Sequence, residues 1–115
     1  MKPVIALVLL AACTASSPVL VSRYSNLFAG KKTASGEPYN PKQHTAAHLK
    51  LPFGTCVRLT DPRSGRSTTV RVNDRGPWIK GRVFDLSEAA AKDLNLTGIK
   101  RVLSKVVPSS ECAVQ

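Results

Sequence analysis

The chain has 115 residues, of which 17 are Lys or Arg and 7 are Asp or Glu, and its formal net charge is +10 at pH 7. This length fits one small domain near the lower limit of the sizes that fold independently. A strongly basic chain often binds nucleic acid, but only 5% of the residues are aromatic, too few for base-stacking platforms, so we expect no nucleic-acid partner.

The N-terminus has the layout of an export signal. A positively charged start that includes Lys2 precedes an unbroken apolar run from Val4 to Ala12, which is too short to span a bilayer as a helix. The run ends in Leu-Ala-Ala-Cys and resembles the lipobox of bacterial lipoproteins, whose signal is cut before a cysteine that receives a diacylglycerol. This resemblance implies a signal peptide at residues 1–12, Sec-dependent export and a lipid on Cys13. The alternative is an ordinary signal peptide in which Cys13 is incidental.

A lipid on Cys13 would anchor the domain to a membrane without a transmembrane helix. Stable anchoring needs more than one acyl chain, and lipoproteins of this kind carry them. Thr14 rather than Asp follows the cysteine, which by the same resemblance favours the periplasmic face of the outer membrane in a Gram-negative host. In that compartment, polyanionic wall polymers or anionic lipid headgroups are the expected partners of a basic, monomeric domain.

Cys56 and Cys112 remain as an even pair in an oxidising compartment once Cys13 is acylated. We expect them to form a disulfide, which would close a long loop and stabilise the fold by about 4 kcal/mol in the chain-entropy model. Two independent buried thiols are the alternative. The two cysteines lie far apart in sequence, and neither has a cysteine or histidine nearby at ligand spacing, so we expect no metal site and no cofactor.

The exported chain begins with an expected tether at residues 13–21, with a possible first strand at 19–24. The segment 33–55 then contains Glu37 and both histidines together with several glycines and prolines, so it buries little apolar surface for its length. Loops on a rigid scaffold are common positions of binding and catalytic groups. We expect this segment to face two other polar segments, residues 73–77 and 84–87, across a groove.

The middle of the chain has the pattern of a β-hairpin. Residues 56–60 alternate apolar and polar side chains, which is typical of a half-buried strand. The turn 61–66 contains Pro, Gly and an Asp that can hydrogen-bond to its own backbone. Residues 67–72 are rich in β-branched side chains and return as the partner strand. A short basic strand or extended segment follows at 79–83.

One helix is predicted, at about residues 85–94. Asp85 and Glu88 fit a capping box, and three alanines that favour helix follow them. A last strand is predicted at 99–107. Several short strands and one short helix predict a mainly β fold, a small closed barrel that leaves no exposed sheet edge. We assign the barrel to residues 22–108 and a C-terminal tail to 109–115.

Four ordered blocks carry a specific resemblance: GKKTASGEPYN, HTAAHLKLPFGTCVRLTD, GRSTTVRVNDRGPW and GRVFDLSEAAAKDL. The chain resembles the rare lipoprotein A (RlpA) family from about Tyr24 to Val107. This resemblance implies a six-stranded double-psi β-barrel of the bacterial envelope. It also implies endolytic lytic transglycosylation of peptidoglycan, in which MurNAc-GlcNAc strands, preferably free of stem peptides, are cut with formation of 1,6-anhydroMurNAc.

The resemblance also implies a set of functional residues. Glu37 stands at the position of the family's carboxylate in the TASGE block, His48 at that of its histidine in TAAH, and Asp74 at that of its aspartate in NDRGP. Asp85 aligns with the general acid of expansin-like and endoglucanase relatives. The chain departs from the family pattern at Asn40, where members commonly carry Asp. We expect Asn40 to contact the substrate.

The chemistry itself needs few groups. Hydrolysis of a glycosidic bond uses two carboxylates, but in lytic transglycosylation the 6-hydroxyl of muramic acid attacks its own anomeric carbon. One carboxyl group can then protonate the leaving oxygen and afterwards accept the proton of the 6-hydroxyl. An acid of this kind must stay protonated near neutral pH, which burial or a neighbouring carboxylate can achieve. We expect Asp85 or Asp74 to be the acid, with Glu37 and His48 positioning the sugar and tuning the acid.

Each candidate also has an ordinary structural explanation. Asp85 can cap the helix, and Asp74 can form a turn or pair with Arg75. Glu37 can be a solvated turn residue, and His48 can hydrogen-bond to the backbone.

Three further residues suit a sugar-binding groove. Trp78 offers an aromatic face to a pyranose ring, and Arg75 and Lys80 offer cations to lactyl carboxylates. Trp78 could equally plug the barrel. Two other functions stay open: a non-catalytic module that binds peptide-free glycan in the same groove, and, less well supported, an expansin-like wall-loosening protein, because expansins pair the barrel with a second β domain.

Overall fold

The computed structural model describes residues 16–112. The predicted signal peptide, residues 1–12, and the predicted lipidation site at Cys13 lie outside the described residues. No helix within the described part of the chain is both long and apolar enough to cross a membrane.

Six strands form a closed barrel, as the sequence predicted. Around the barrel their order is β1-β5-β2-β4-β3-β6. The β1/β5 and β2/β4 pairs are parallel and the other four are antiparallel. Closure pairs every strand on both sides, so the sheet has no free edge. The strands are β1 (Ser17–Arg23), β2 (Thr45–Ala47), β3 (Cys56–Thr60), β4 (Ser67–Asp74), β5 (Arg82–Leu86) and β6 (Lys100–Val107).

The start of β1 corrects the predicted boundary of the domain. Residues 17–21, assigned to the tether, pair with 100–104 of β6 in antiparallel register. These bonds satisfy the backbone polar groups of the segment, and Val21 is fully buried. The barrel therefore begins at Ser17 and not at residue 22.

The strands β2 and β5 also differ from the prediction. β2 lies inside the segment expected to be loop, and its three residues are all buried. A strand this short has no alternation of apolar and polar residues by which it could be recognised. β5 begins at Arg82, later than the predicted 79–83, and continues to Leu86 because its end pairs with β1 and β2.

The helix α1 spans Glu88–Asp93 and is shorter than predicted. The prediction that Asp85 caps it is wrong. Ser87 is the N-cap, and its Oγ accepts a hydrogen bond from the backbone N–H of Ala90 at 3.4 Å. Asp85 belongs to β5, where it pairs with Ser22 of β1, so its backbone is extended and its side chain is left for another role.

The core fills the barrel interior with small and branched side chains and extends to the buried face of α1. Two short 3₁₀ helices, Asn26–Phe28 and Ser109–Cys112, lie outside it. The main cluster consists of Val21, Ala46, Val57, Leu59, Val70, Val72, Phe84, Leu86, Ala90, Ala91, Leu94, Leu96 and Val102.

A disulfide joins Cys56 at the start of β3 to Cys112 in the second 3₁₀ helix. Both sulfurs are buried beside Val107. An ion pair between Arg58 and Glu111 adds a second contact between this segment and β3. The described part of the tail, up to Cys112, is therefore held against the barrel.

Asp61 makes the stability of the fold depend on pH in the acidic range. Its carboxylate is almost fully buried and accepts hydrogen bonds from the backbone N–H of Arg63 at 3.0 Å and from Nζ of Lys100 at 3.1 Å. The Arg63 N–H and then Lys100 lower the pKa of Asp61 from 3.8 to about 2.

We expect this depressed pKa to stabilise the native state fully above about pH 4, with the stabilisation lost as the pH falls towards 2, because the unfolded chain binds the proton first. Thermal unfolding of wild type and Asp61→Asn between pH 5 and pH 2 measures this. The melting temperature of wild type should fall more steeply than that of the variant. Parallel curves would contradict the assignment.

Candidate functional site

The strand register places the two candidate acids on one row of the barrel wall. Asp85 pairs with Ser22 of β1 on one side and with Ala47 of β2 on the other, and Ala47 pairs in turn with Asp74 of β4. Neighbouring residues of such a row point to the same face of a sheet. The two carboxylates are therefore two strands apart, about 10 Å between backbones, with Ala47 on the strand between them and the rings of Tyr24 and Tyr39 packed against Ala47.

This row forms part of an open cleft of about 650 Å³. Its wall is a mixture of acidic, aromatic and basic side chains. The lining residues are Arg23, Tyr24, Ser25, Phe28, Lys31, Lys32, Thr33, Tyr39, Ala47, Asp74, Arg75, Gly76, Pro77, Trp78, Ile79, Arg82 and Asp85.

The carboxylate of Asp74 is held by three donors. Oδ1 accepts from the backbone N–H groups of Ala34 at 2.8 Å and Arg75 at 2.9 Å. Oδ2 accepts from the hydroxyl of Tyr24 at 2.7 Å. The alternative in which Asp74 pairs with the Arg75 guanidinium is not seen, because that group bonds to the carbonyls of His48 and Leu51. Asp74 is thus a fixed acceptor in the cleft.

Asp85 is less constrained. Its Oδ1 accepts a hydrogen bond from the hydroxyl of Ser22 at 2.6 Å. Within residues 16–112 we find no donor to its second oxygen, Oδ2. One oxygen is thus oriented by β1 while the other stays available to a ligand in the cleft.

Tyr24 is a site residue that sequence analysis missed. It is 8% exposed, and its ring packs on Tyr39 with 4.8 Å between centroids. Burial, and then its bond to Asp74, raise the pKa of Tyr24 well above its ordinary value, so the hydroxyl stays a donor. The signal was present in the sequence: Ser22 and Tyr24 are two residues apart at the end of a strand and therefore share a face.

We expect Tyr24→Phe to lower the rate of any reaction in this cleft by roughly 10- to 100-fold, because Asp74 loses the donor that orients Oδ2. The cost in stability should be about 1–3 kcal/mol for the unpaired acceptor. Tyr39→Phe is the matched control, since Tyr39 Oη accepts a bond from the Glu88 backbone and is not among the donors to Asp74 and Asp85 within residues 16–112. Turnover assays and urea unfolding separate the two variants; equal rate losses would contradict a positioning role.

Glu37 does not line the cleft. Its Oε1 accepts a hydrogen bond from Nη1 of Arg71 at 2.6 Å, and this bond lowers the pKa of Glu37 below its ordinary value. The backbone of its loop is tied to the site, because Ala34 donates to Asp74 and Ser35 N–H donates to the Asn73 carbonyl. Glu37 therefore stands in the loop that supports Asp74.

His48 also lies beside the cleft and not in its lining. Its Nδ1 accepts hydrogen bonds from the backbone N–H groups of Lys50 and Leu51, each at 3.0 Å, which corresponds to the backbone-bonding alternative. The ring packs on Phe84. Burial and then the cation of Arg75 lower the pKa of His48, so we assign the neutral tautomer with the proton on Nε2. The backbone N–H of His48 donates to the backbone carbonyl of Asp74 at 3.2 Å.

Of the four residues predicted to bind sugar, Arg75 and Trp78 line the cleft, whereas Asn40 and Lys80 do not. Trp78 is 79% exposed at the cleft and therefore does not plug the barrel. Arg75 lines the cleft, but its Nη1 donates to the carbonyls of His48 and Leu51 and its guanidinium lies 4.0 Å over the Phe53 ring. It therefore fixes the neighbouring loop.

Asn40 and Lys80 are not in the lining of the cleft. Asn40 Oδ1 accepts a hydrogen bond from the Lys42 backbone at 3.0 Å, as in a local turn. Five further residues that were not predicted as site residues line the cleft: Arg23, Phe28, Lys31, Lys32 and Arg82.

Comparison with known proteins agrees with this architecture. A family model described as lytic transglycolase matches residues 21–106. The protein named probable endolytic peptidoglycan transglycosylase RlpA in Nostoc sp. is 59% identical over 71 residues, or 62% of this chain and 19% of the relative. The endolytic peptidoglycan transglycosylase RlpA of Pasteurella multocida is 49% identical over 79 residues, or 69% of this chain and 27% of the relative. The chain spans less than a third of the length of these curated relatives.

Two solved structures share the fold. An expansin of Clavibacter michiganensis superposes with a TM-score of 0.63 and 23% identity over 82% of this chain and 51% of the expansin. The Streptomyces papain inhibitor superposes with a TM-score of 0.62 and 22% identity over 82% of this chain and 96% of the inhibitor. The family match includes the last three residues of β1 and all or nearly all of the other five strands, and the chain belongs to the lytic transglycolase family of double-psi β-barrel proteins.

Proposed function

We propose that this domain is an endolytic lytic transglycosylase that cuts the MurNAc-GlcNAc strands of peptidoglycan and leaves 1,6-anhydroMurNAc ends. Membership of the family and the names of the relatives support this activity. The observation that carries it is the pair of carboxylates, Asp74 and Asp85, in one open cleft that also exposes an aromatic side chain, Trp78.

We assign the general acid to Asp85. A general acid must deliver a proton to the leaving oxygen, so it needs a carboxyl oxygen that faces the substrate and is not already occupied by a donor. Asp85 lines the cleft, and within the described residues no donor occupies its Oδ2. Both oxygens of Asp74 are occupied: Oδ1 accepts from two backbone N–H groups, which cannot act as acceptors, and Oδ2 accepts from the Tyr24 hydroxyl.

The proposed reaction needs no activated water. Asp85 protonates the GlcNAc O4 as its bond to C1 of MurNAc breaks, and O6 of the same MurNAc attacks C1. Asp85 then takes the O6 proton and returns to its starting state. The fixed negative charge of Asp74 faces the same cleft and would stabilise positive charge at C1 in an oxocarbenium-like transition state.

The walls of the cleft suit a glycan whose stem peptides have been removed. Trp78 and Phe28 expose aromatic faces on which pyranose rings can stack. Arg23, Lys31 and Arg82 bring cations to the same cleft. Removal of a stem peptide leaves the lactyl group of MurNAc as a free carboxylate, which such cations attract. Glu37 and His48 act through the backbone segments that hold Asp74.

We further propose that the domain works as a monomer in the bacterial envelope, exported through Sec and anchored by a lipid on Cys13. In a Gram-negative host it would face the periplasm from the outer membrane. The lipobox-like sequence before Cys13 supports this assignment.

The test is mass spectrometry of the soluble products formed from peptide-free glycan strands. The protein used should be residues 14–115, since β1 begins at Ser17. Products that end in 1,6-anhydroMurNAc are expected. Reducing-end products would mean a hydrolase, and strands that bind without being cut would mean a non-catalytic binding module.

A further inference from the structure

A second cleft, of about 260 Å³, lies on the opposite side of the barrel from the candidate active site. It is lined by Pro18, Pro62, Arg63, Arg101, Val102 and Leu103. Three of these residues lie on β6. In the strand order β6 is three positions from β2, the strand that carries Ala47 of the active-site row. In a six-stranded barrel, strands three positions apart are diametrically opposite.

The outer surface around this cleft has an apolar centre and a basic rim. On β6, Arg101, Leu103 and Lys105 alternate along one face, with Leu103 next to Pro18 in the register. Arg63, in the β3–β4 turn, has a side chain that is 73% exposed.

Two charge arrangements on this surface have no role in the active site. Arg58 of β3 stands directly opposite Lys105 of β6; Glu111 pairs with Arg58, so this cross-strand pair of like charges keeps one uncompensated cation, Lys105. Asp61, the acid beside the cleft, is almost fully buried and pairs both with Lys100 at 3.1 Å and with Nε of Arg63 at 3.4 Å. Within residues 16–112, Arg101 and Lys105 form no ion pair, so the rim keeps a net positive charge for an external partner.

The proposed lipid on Cys13 would bring this surface close to a membrane. Ser17, where β1 begins, is four residues after Cys13, and four residues can span at most about 14 Å. Pro18, the next residue of β1, lines the cleft. A domain anchored at Cys13 therefore has this side within reach of the lipid headgroups.

We propose that the surface formed by Pro18, Arg63, Arg101, Leu103 and Lys105, here called the β6 face, docks on anionic lipid headgroups. Apolar side chains surrounded by cations are the pattern of interfacial membrane binding. Docking through the β6 face turns the candidate active site, on the β2 side, away from the bilayer and towards the wall. This goes beyond glycan cleavage and can fail or succeed independently of it.

The first test measures co-sedimentation of unlipidated residues 14–115 with vesicles of phosphatidylcholine, with and without 30% phosphatidylglycerol. This protein contains all six strands and both disulfide cysteines. We expect binding only to the anionic vesicles, weakened by salt. The triple variant Arg63→Gln, Arg101→Gln, Lys105→Gln should lose about 100-fold in partition coefficient, since each basic residue near the surface contributes roughly a factor of five.

The matched control neutralises Lys42, Lys50 and Lys80, three exposed lysines that do not line the second cleft. This control makes the same change in net charge, and its partition coefficient on anionic vesicles should fall by less than about threefold. Equal losses in the two triple variants, or no binding to anionic vesicles at low salt, would overturn the proposal. The proposal would also be overturned if the triple variant at Arg63, Arg101 and Lys105 lost binding to peptidoglycan but kept its binding to vesicles.

The second test measures orientation with the single tryptophan of the chain, Trp78, which lines the active-site cleft. Vesicles that contain brominated lipid should leave its fluorescence unchanged when the protein is bound. A tryptophan placed on the β6 face by Leu103→Trp, in a Trp78→Phe background, should be quenched. Quenching of Trp78 with none at position 103 would mean that the active-site side faces the membrane.

Discussion

Asp85→Asn should lower the rate of anhydroMurNAc formation by about 10²- to 10⁴-fold, the contribution typical of a general acid. The substitution keeps an oxygen that can accept the Ser22 hydroxyl, so the local structure should persist. In the proposed mechanism it removes the proton that the leaving GlcNAc oxygen requires. Initial rates from mass spectrometry of the soluble products measure the loss, and retention of glycan strands by the variant shows that binding is intact.

Glu88→Gln is the matched control for this variant. Glu88 lies three residues beyond Asp85, in the first turn of α1, and does not line the cleft. Its neutralisation should leave the rate within about twofold, since it removes the same charge from outside the site. If Asp85→Asn kept more than about a tenth of the wild-type rate, Asp85 could not be the acid.

Asp74→Asn distinguishes the two carboxylates further. An amide at this position can keep its oxygen on the Ala34 and Arg75 N–H groups only by turning its NH₂ group to the Tyr24 hydroxyl, which must then accept instead of donate. We therefore expect Asp74→Asn to lower both the rate and the melting temperature, whereas Asp85→Asn lowers the rate alone. The reverse pattern would exchange the roles of the two residues.

Removal of the disulfide should have the largest effect on stability. The Cys56–Cys112 bond closes a loop with a sequence separation of 56 residues. In the chain-entropy model a loop of this length corresponds to about 4 kcal/mol. We expect the Cys56→Ala, Cys112→Ala variant to lose about this much in free energy of unfolding and roughly 20 °C in melting temperature.

Urea unfolding of the variant and of oxidised and reduced wild type tests this prediction. Reduced wild type should resemble the variant, and the dependence of the free energy on urea should be steeper in both, because an uncrosslinked unfolded chain exposes more surface. Equal stability of oxidised wild type and the variant would favour two independent thiols.

Several elements were predictable because their signals are local. The β3–β4 hairpin follows from alternation over residues 56–60 and a Pro- and Gly-containing turn, and both strands form where the patterns indicated. The mainly β barrel with one helix was likewise confirmed. The helix cap was wrong because Asp85 and Ser87 both precede the alanines, and only the continuation of β5 to Leu86 selects Ser87.

The candidate acids and the family resemblance follow from the sequence alone, since Asp74 and Asp85 stand in short motifs that can be read without coordinates. The contacts of each carboxylate, in contrast, depend on the three-dimensional fold. Tyr24 donates to Asp74 across 50 residues and Ser22 to Asp85 across 63, and these contacts depend on the order and register of strands around a closed barrel. Pairing between distant strands leaves no pattern in the local sequence of either partner.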